Sequence, residues 1–239
     1  MQVFFSKAAA LVAAIGLSLI AADATRGEDP SLAISPFNTN DTSGWQLKGT
    51  PDKSNWTVGW VKPSEKDPGE LEVATSGERG AQLVNSKHGG LDIFTERKFG
   101  DCTIRLEFMV PKGSNSGVYV MGEYEVQILD SFGKEKPGPG DVGGLYNAAA
   151  PRINAARKPG EWQSLVIAFR APKFADGKKV ANAQFVKVTL NDQVIHENIE
   201  MKGATPGGVT GKEVAEGPLM FQGNHGPVAF RGISVAPLQ

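Results

Sequence analysis

The stretch FGDCTIRLEFMVP, residues 99–111, alternates between apolar and polar residues. Cys102, Ile104, Leu106 and Phe108 fall on one side of an extended chain, and Thr103, Arg105 and Glu107 on the other. Successive side chains of a strand point to opposite faces, so a period of two predicts a strand buried on one face. Related patterns recur in SGWQLKG (43–49), SNWTVGWV (54–61), VYVMG, YEVQILD and EWQSLVIAFRAP (161–172). QFVKVTLNDQVIHENIEM (184–201) reads as a hairpin turning at LNDQV, and 217–237 supplies two last strands. No long segment carries the 3.6-residue period of a helix, and no fixed-period repeat is present. With 29 Gly and 15 Pro, turns are frequent. The predicted fold is all-β: two packed sheets in a sandwich of jelly-roll type, in which stacking limits exposed edges.

A chain of 239 residues suits one large β domain. Hydrophobic residues make up 40% and charged residues 21%, which excludes wholesale disorder. The net charge of −1, with no basic stripe, argues against nucleic acid as a partner. The single cysteine, Cys102, rules out an intramolecular disulfide and a multi-cysteine zinc site, and its place on a strand predicts a buried, inert thiol. Residues 1–24 read as a secretory signal peptide: Lys7, then an apolar run of ~15 residues, then small residues at Ala22 and Ala24. That run falls short of the ~20 residues of a spanning helix. The expectation is cleavage after Ala24, no membrane span thereafter, a linker over 25–36, one domain over 37–239, and a secreted or periplasmic protein.

NSGVYVMGEYEVQILD, residues 115–130, collects unusual polarity for a strand pair. Alternation predicts that Glu123, Glu125 and Gln127 share one face while Tyr124, Val126 and Ile128 enter the core. Asp130 falls out of phase; one bulge would return it to the polar face, and bulges cluster beside active sites. A lone outer-face acid commonly only keeps a sheet soluble. Clustered carboxylates raise one another's pKa, which costs stability unless a ligand, metal or proton uses it. The spacing E-x-Q-x-x-D is similar to the E-x-D-x-x-E strand of laminarinase-type glucanases, with Gln127 and Asp130 in place of Asp and Glu.

Four blocks, NSGVYVMGEYEVQILDS, GGLYNAAAP…NAARKPGEWQSLVIAFRAP, LNDQVIHEN and GPLMFQGNHGPVAFRGISV, resemble the 3-keto-disaccharide hydrolase domain family, over about Ser43 to Pro237. The resemblance implies a secreted bacterial sandwich of the concanavalin A-like lectin and glucanase type, a carbohydrate substrate, and cleavage of glycosides whose sugar carries a ketone at C3. It also implies a functional link to a sugar 3-oxidoreductase that makes the ketone. Such a ketone acidifies the C2 proton. A base can then remove it, the C1 substituent leaves, and water adds back. Glu125 is the expected base, Glu123 or Asp130 the acid, and Gln127 and His225 polarisers. Asn115, Tyr146 in the long loop 131–160, and Gln222 complete the expected sugar contacts. No H-E-x-x-H zinc motif is present; a divalent cation on carboxylates and carbonyls stays open. Two other readings stand beside this one: a non-catalytic carbohydrate-binding module, and a glucanase-like glycosidase acting on unoxidised sugars.

Overall fold

The computed structural model describes Met1 and residues 32–239 except Thr75, Glu78 and Arg79, so the expected signal peptide and most of the linker lie outside the described residues. In chain order the strands are β1 (Trp45–Leu47), β2 (Trp56–Pro63), β3 (Leu71–Ala74), β4 (Gln82–Asn85), β5 (Ile93–Phe99), β6 (Cys102–Met109), β7 (Asn115–Val120) and β8 (Tyr124–Leu129). They continue with β9 (Gln163–Arg170), β10 (Lys173–Ala175), β11 (Lys178–Ala181), β12 (Ala183–Leu190), β13 (Gln193–Met201), β14 (Gly217–Phe221) and β15 (Val228–Pro237). Among the described residues there is no α-helix, and none long and apolar enough to cross a membrane.

Two antiparallel sheets pack face to face. The larger runs β13-β12-β9-β6-β15-β4-β2-β3 and the smaller β1-β5-β14-β7-β8, with β10-β11 as a separate ribbon. This is the two-sheet sandwich expected. The alternation in β6 works as read: Cys102, Ile104, Leu106 and Phe108 are buried against the core, whereas Arg105 is exposed. Burial pushes the Cys102 thiol up to about 12, so it is inert at neutral pH. The β12–β13 hairpin turns at Asn191 and Asp192, both at positive φ, the conformation a tight hairpin turn of this hand requires. The strands β4 and β5 carry no clean alternation: Gln82–Asn85 is buried throughout, and β5 starts apolar and ends charged. Within the described part of the segment read as a linker, Ile34 exchanges two backbone bonds of 2.8 Å with Val235.

An aromatic column ties the layers together. Trp45 stacks on Phe221 at 5.3 Å, Phe221 on Phe230 at 3.9 Å, and Phe230 on Trp56 at 6.3 Å. The first two belong to the smaller sheet and the last two to the larger, so the column crosses the interior. On the larger sheet, Arg231 pairs with Glu107 at 2.8 Å and lies 4.0 Å over the Trp162 ring. His196 is buried and its Nε2 donates to Gly143 O at 2.8 Å; burial lowers its pKa, so the ring is neutral with the proton on Nε2. This bond pins the long loop 131–160. Residues 143–146 of that loop then run beside β8, with Gly143 N donating to Gln127 O and Gln127 N to Gly144 O, both at 2.8 Å. The loop thereby covers an edge strand that would otherwise present free backbone groups.

Truncation of Phe230, fully buried in the column, is expected to cost about 3–5 kcal/mol of stability in Phe230→Ala. Denaturant unfolding checks this; a loss under 1 kcal/mol would show that the column does not couple the sheets.

Candidate active site

The β7–β8 hairpin builds the centre of the site. Its register is unbroken: Asn115 lies opposite Leu129, Gly117 opposite Gln127, and Tyr119 opposite Glu125. Opposed residues share a face. One face of β8 therefore sends Tyr124, Val126 and Ile128 into the core, each fully buried. The other sends Glu125 and Gln127 outward, beside Tyr119 and Asn115. Outward here does not mean into water. Loops close over this end of the smaller sheet, and Glu125, Gln127 and Tyr119 are 3%, 4% and 1% exposed.

The result is a cavity of about 260 Å³. Every strand of the smaller sheet lends it a residue: Lys48 just after β1, Asp92 just before β5, Gln222 just after β14, Asn115 and Tyr119 on β7, and Glu125 and Gln127 on β8. Tyr146, Pro206–Gly207 and Asn224–His225 form the walls. Lys48 spans the floor and the wall, donating from Nζ to Gly207 O at 2.6 Å and Gly208 O at 2.8 Å while standing 3.7 Å from Asp92 Oδ2. The other oxygen of Asp92 accepts from Gly223 N at 3.1 Å. Gln127 Nε2 donates to Asn115 Oδ1 at 2.7 Å, which directs the Asn115 amide nitrogen away from that bond.

Electrostatics single out Glu125. Burial, with a smaller repulsion from Asp92, raises its carboxyl to about 7, although hydrogen bonding from Tyr119 opposes the rise. The Tyr119 phenol is held well above its ordinary range by burial and by Glu125, so it stays neutral; its hydroxyl also lies 3.1 Å from Pro206 O. Gly117 makes room for the acid: a Cβ there would sit 2.2 Å from Glu125 Oε1. A carboxyl titrating near neutrality beside a neutral phenol can accept and return protons.

Six of the residues singled out from the sequence come together here: Glu125, Gln127, Asn115, Tyr146, Gln222 and His225. Two do not. Glu123 belongs to the turn before β8, so its side chain escapes the strand's alternation. One of its oxygens accepts from Thr210 N at 2.8 Å and Thr210 Oγ1 at 2.7 Å, and the other from Gly211 N at 2.9 Å. Asp130 is not returned to the polar face by a bulge, because the β7–β8 register does not shift. It lies beyond the end of β8, where its Oδ2 accepts from Gly113 N at 2.8 Å and closes the turn into β7. Lys48, Asp92, Tyr119 and Asn224 line the cavity without having been singled out. Tyr119 was within reach, since it sits two and four positions from Gly117 and Asn115 on one strand face. Asp92 and Lys48 carried no local signal. Among the described residues, no group of three His, Cys, Asp or Glu side chains is placed to hold a metal ion.

A sandwich with a polar, ring-sized cavity walled by aromatic and amide side chains defines a carbohydrate-acting class of protein. The chain belongs to the 3-keto-α-glucoside-1,2-lyase-like domain family, whose profile matches residues 32–236. No curated protein matches it significantly. A candidate glycosyl hydrolase from Parabacteroides distasonis, solved at 2.13 Å, is 27% identical with a TM-score of 0.63, over 87% of this chain and 84% of that one. A second candidate glycosyl hydrolase from the same organism, at 1.70 Å, shares the fold at 18% identity and a TM-score of 0.59, over 90% and 98%.

Removing the Glu123 carboxylate leaves three donors of the 210–211 loop without their acceptor. Glu123→Ala is expected to cost about 1–3 kcal/mol and to speed amide hydrogen exchange at 205–211 well before the β-sandwich core. Unchanged exchange in that segment would refute the clamp.

Proposed function

We propose that this protein cleaves glycosides of 3-keto sugars, with Glu125 as the base that removes the C2 proton. The observation that carries the reading is the Glu125 carboxyl, buried in a ring-sized cavity and poised near neutral pH beside Tyr119. Glu125 takes the proton from C2; the electron pair forms the enolate on the C3 oxygen, and then the C1–O bond breaks. The Glu125 acid, or the neutral Tyr119 phenol, gives the departing oxygen its proton. Water then adds at C1 and a proton returns to C2. The amides of Gln127, Asn115 and Gln222 suit hydrogen bonds to the ketone and hydroxyls, and Lys48 lends the cavity a positive charge. Family membership supports the substrate class. The N-terminal apolar segment supports export, and the chemistry calls for an oxidoreductase that first oxidises C3.

Asp92 gives the cavity a second carboxylate, which favours one competing reading: direct displacement at an unoxidised glycoside, which uses two carboxyl groups. Pure protein given matched 3-keto and ordinary disaccharides separates the two. The expected result is turnover of the 3-keto substrate alone, with deuterium at C2 of the product in heavy water. Turnover without label would favour displacement, and no turnover of either would leave a binding module.

Glu125→Gln is expected to lower kcat by at least ~10²-fold, within the range for loss of a general base. In the wild type, kcat/KM is expected to rise with pH through about 7 as the carboxylate forms. Stability should move the other way. Between the ordinary 4.5 and the raised value of about 7 the folded state binds more protons than the unfolded chain, so rising pH weakens the fold. Glu125→Gln should therefore melt above the wild type at pH 8, with the gap closing towards pH 4. A melting temperature equal to the wild type's at pH 8 would contradict the buried charge.

A further inference from the structure

A second hollow, of about 360 Å³, adjoins the first, and Tyr146 and Pro206 line both. Its remaining walls are Asn147–Ala148 on one side and residues 200–205, the end of β13 and the loop after it, on the other. Both walls hang from the backbone of Glu125. Its N–H donates to Thr205 Oγ1 at 3.1 Å, and its carbonyl accepts from Tyr146 N at 3.2 Å. Thr205 N donates in turn to Glu123 O at 2.7 Å. The opposite wall is a tight turn between Leu145 and Ala149, with Asn147 at φ +58°. The second hollow is thus indexed to the residue assigned the chemistry, within a few bonds of it.

Size argues for a continuous site. Small-molecule sites commonly measure ~300–1,000 Å³, so the first hollow alone is small and the two joined fall inside that range. The wall chemistry suits a sugar: Ala148 and Ala204 offer apolar surface, and Lys202 and Glu200 stand at the rim as hydroxyl partners. Tyr146 stands where the hollows meet and is 37% exposed, although it is rooted in a well-bonded loop. A partly exposed aromatic ring at such a junction suits contact with a sugar ring.

Building on the function proposed above, we propose that the second hollow binds the C1 substituent of the substrate, a leaving sugar, with Tyr146 stacked at the bond to be cleaved. The preference for a glycosyl over a small leaving group would then be made at residues 146–148 and 200–205.

The test compares kcat/KM for a 3-keto-disaccharide and for methyl 3-keto-glucoside. The wild type should favour the disaccharide at least tenfold, and equal values would overturn the subsite. Ala148 is exposed and lines the hollow, so Ala148→Trp should fill it and lower the disaccharide-to-methyl ratio at least tenfold. Ala204→Trp, from the facing wall, should do the same. A ratio unmoved in both variants, with far-UV circular dichroism and melting preserved, would also overturn the proposal. A wild type that turns over neither 3-keto substrate would instead defeat the functional reading itself.

Discussion

The candidate site depends on a carboxylate that lies outside it. Glu123 anchors the loop after β13 through three hydrogen bonds at Thr210 and Gly211, and Thr205 of the same loop is bonded to the backbones of Glu123 and Glu125. Charge-assisted bonds of this kind are stronger than neutral ones, and here the accepting carboxylate is itself buried. They hold Pro206 and Gly207 over the outward face of β7 and β8. Without that cover the face would be the solvated side of an ordinary antiparallel sheet.

Cover changes the chemistry of what lies beneath. An exposed Glu125 would titrate as any carboxyl does. Enclosed against Tyr119, near Asp92, it is pushed towards neutrality. The same enclosure weakens the fold at higher pH, so the site is maintained against a local cost to stability. The cost is carried by a core whose two sheets share an aromatic column from Trp45 to Trp56. Phe221 joins the two regions: its ring belongs to that column, and Gln222, the next residue, faces the cavity.

Much of this was legible in the residues, for a simple reason. Alternation in a strand is a local rule, so the core faces of β6 and β8 and the outward places of Glu125 and Gln127 follow from counting by two. The same rule failed where the strand ended. Glu123 is one residue before β8 and Asp130 one residue after it, and at those positions side-chain direction is set by turn geometry and by distant partners. Strands β4 and β5 escaped notice because a strand buried on both faces, or one that ends in a charged run, shows no clean alternation. Asp92 was missed with β5, and Lys48, although it lies near the end of the predicted strand SGWQLKG, because only its bonds to Gly207 and Gly208, far along the chain, place it at the cavity.

The amino-acid sequence by itself determined an all-β sandwich, an inert lone thiol, family membership and the acidic strand at the heart of the site, because each rests on short-range periodicity or on the wording of contiguous blocks. Tertiary structure alone decided which carboxylate is enclosed and which is a clamp. That choice depends on loops some 80 residues away along the chain settling over β8, and desolvation is a property of what surrounds a group, not of its neighbours in the chain.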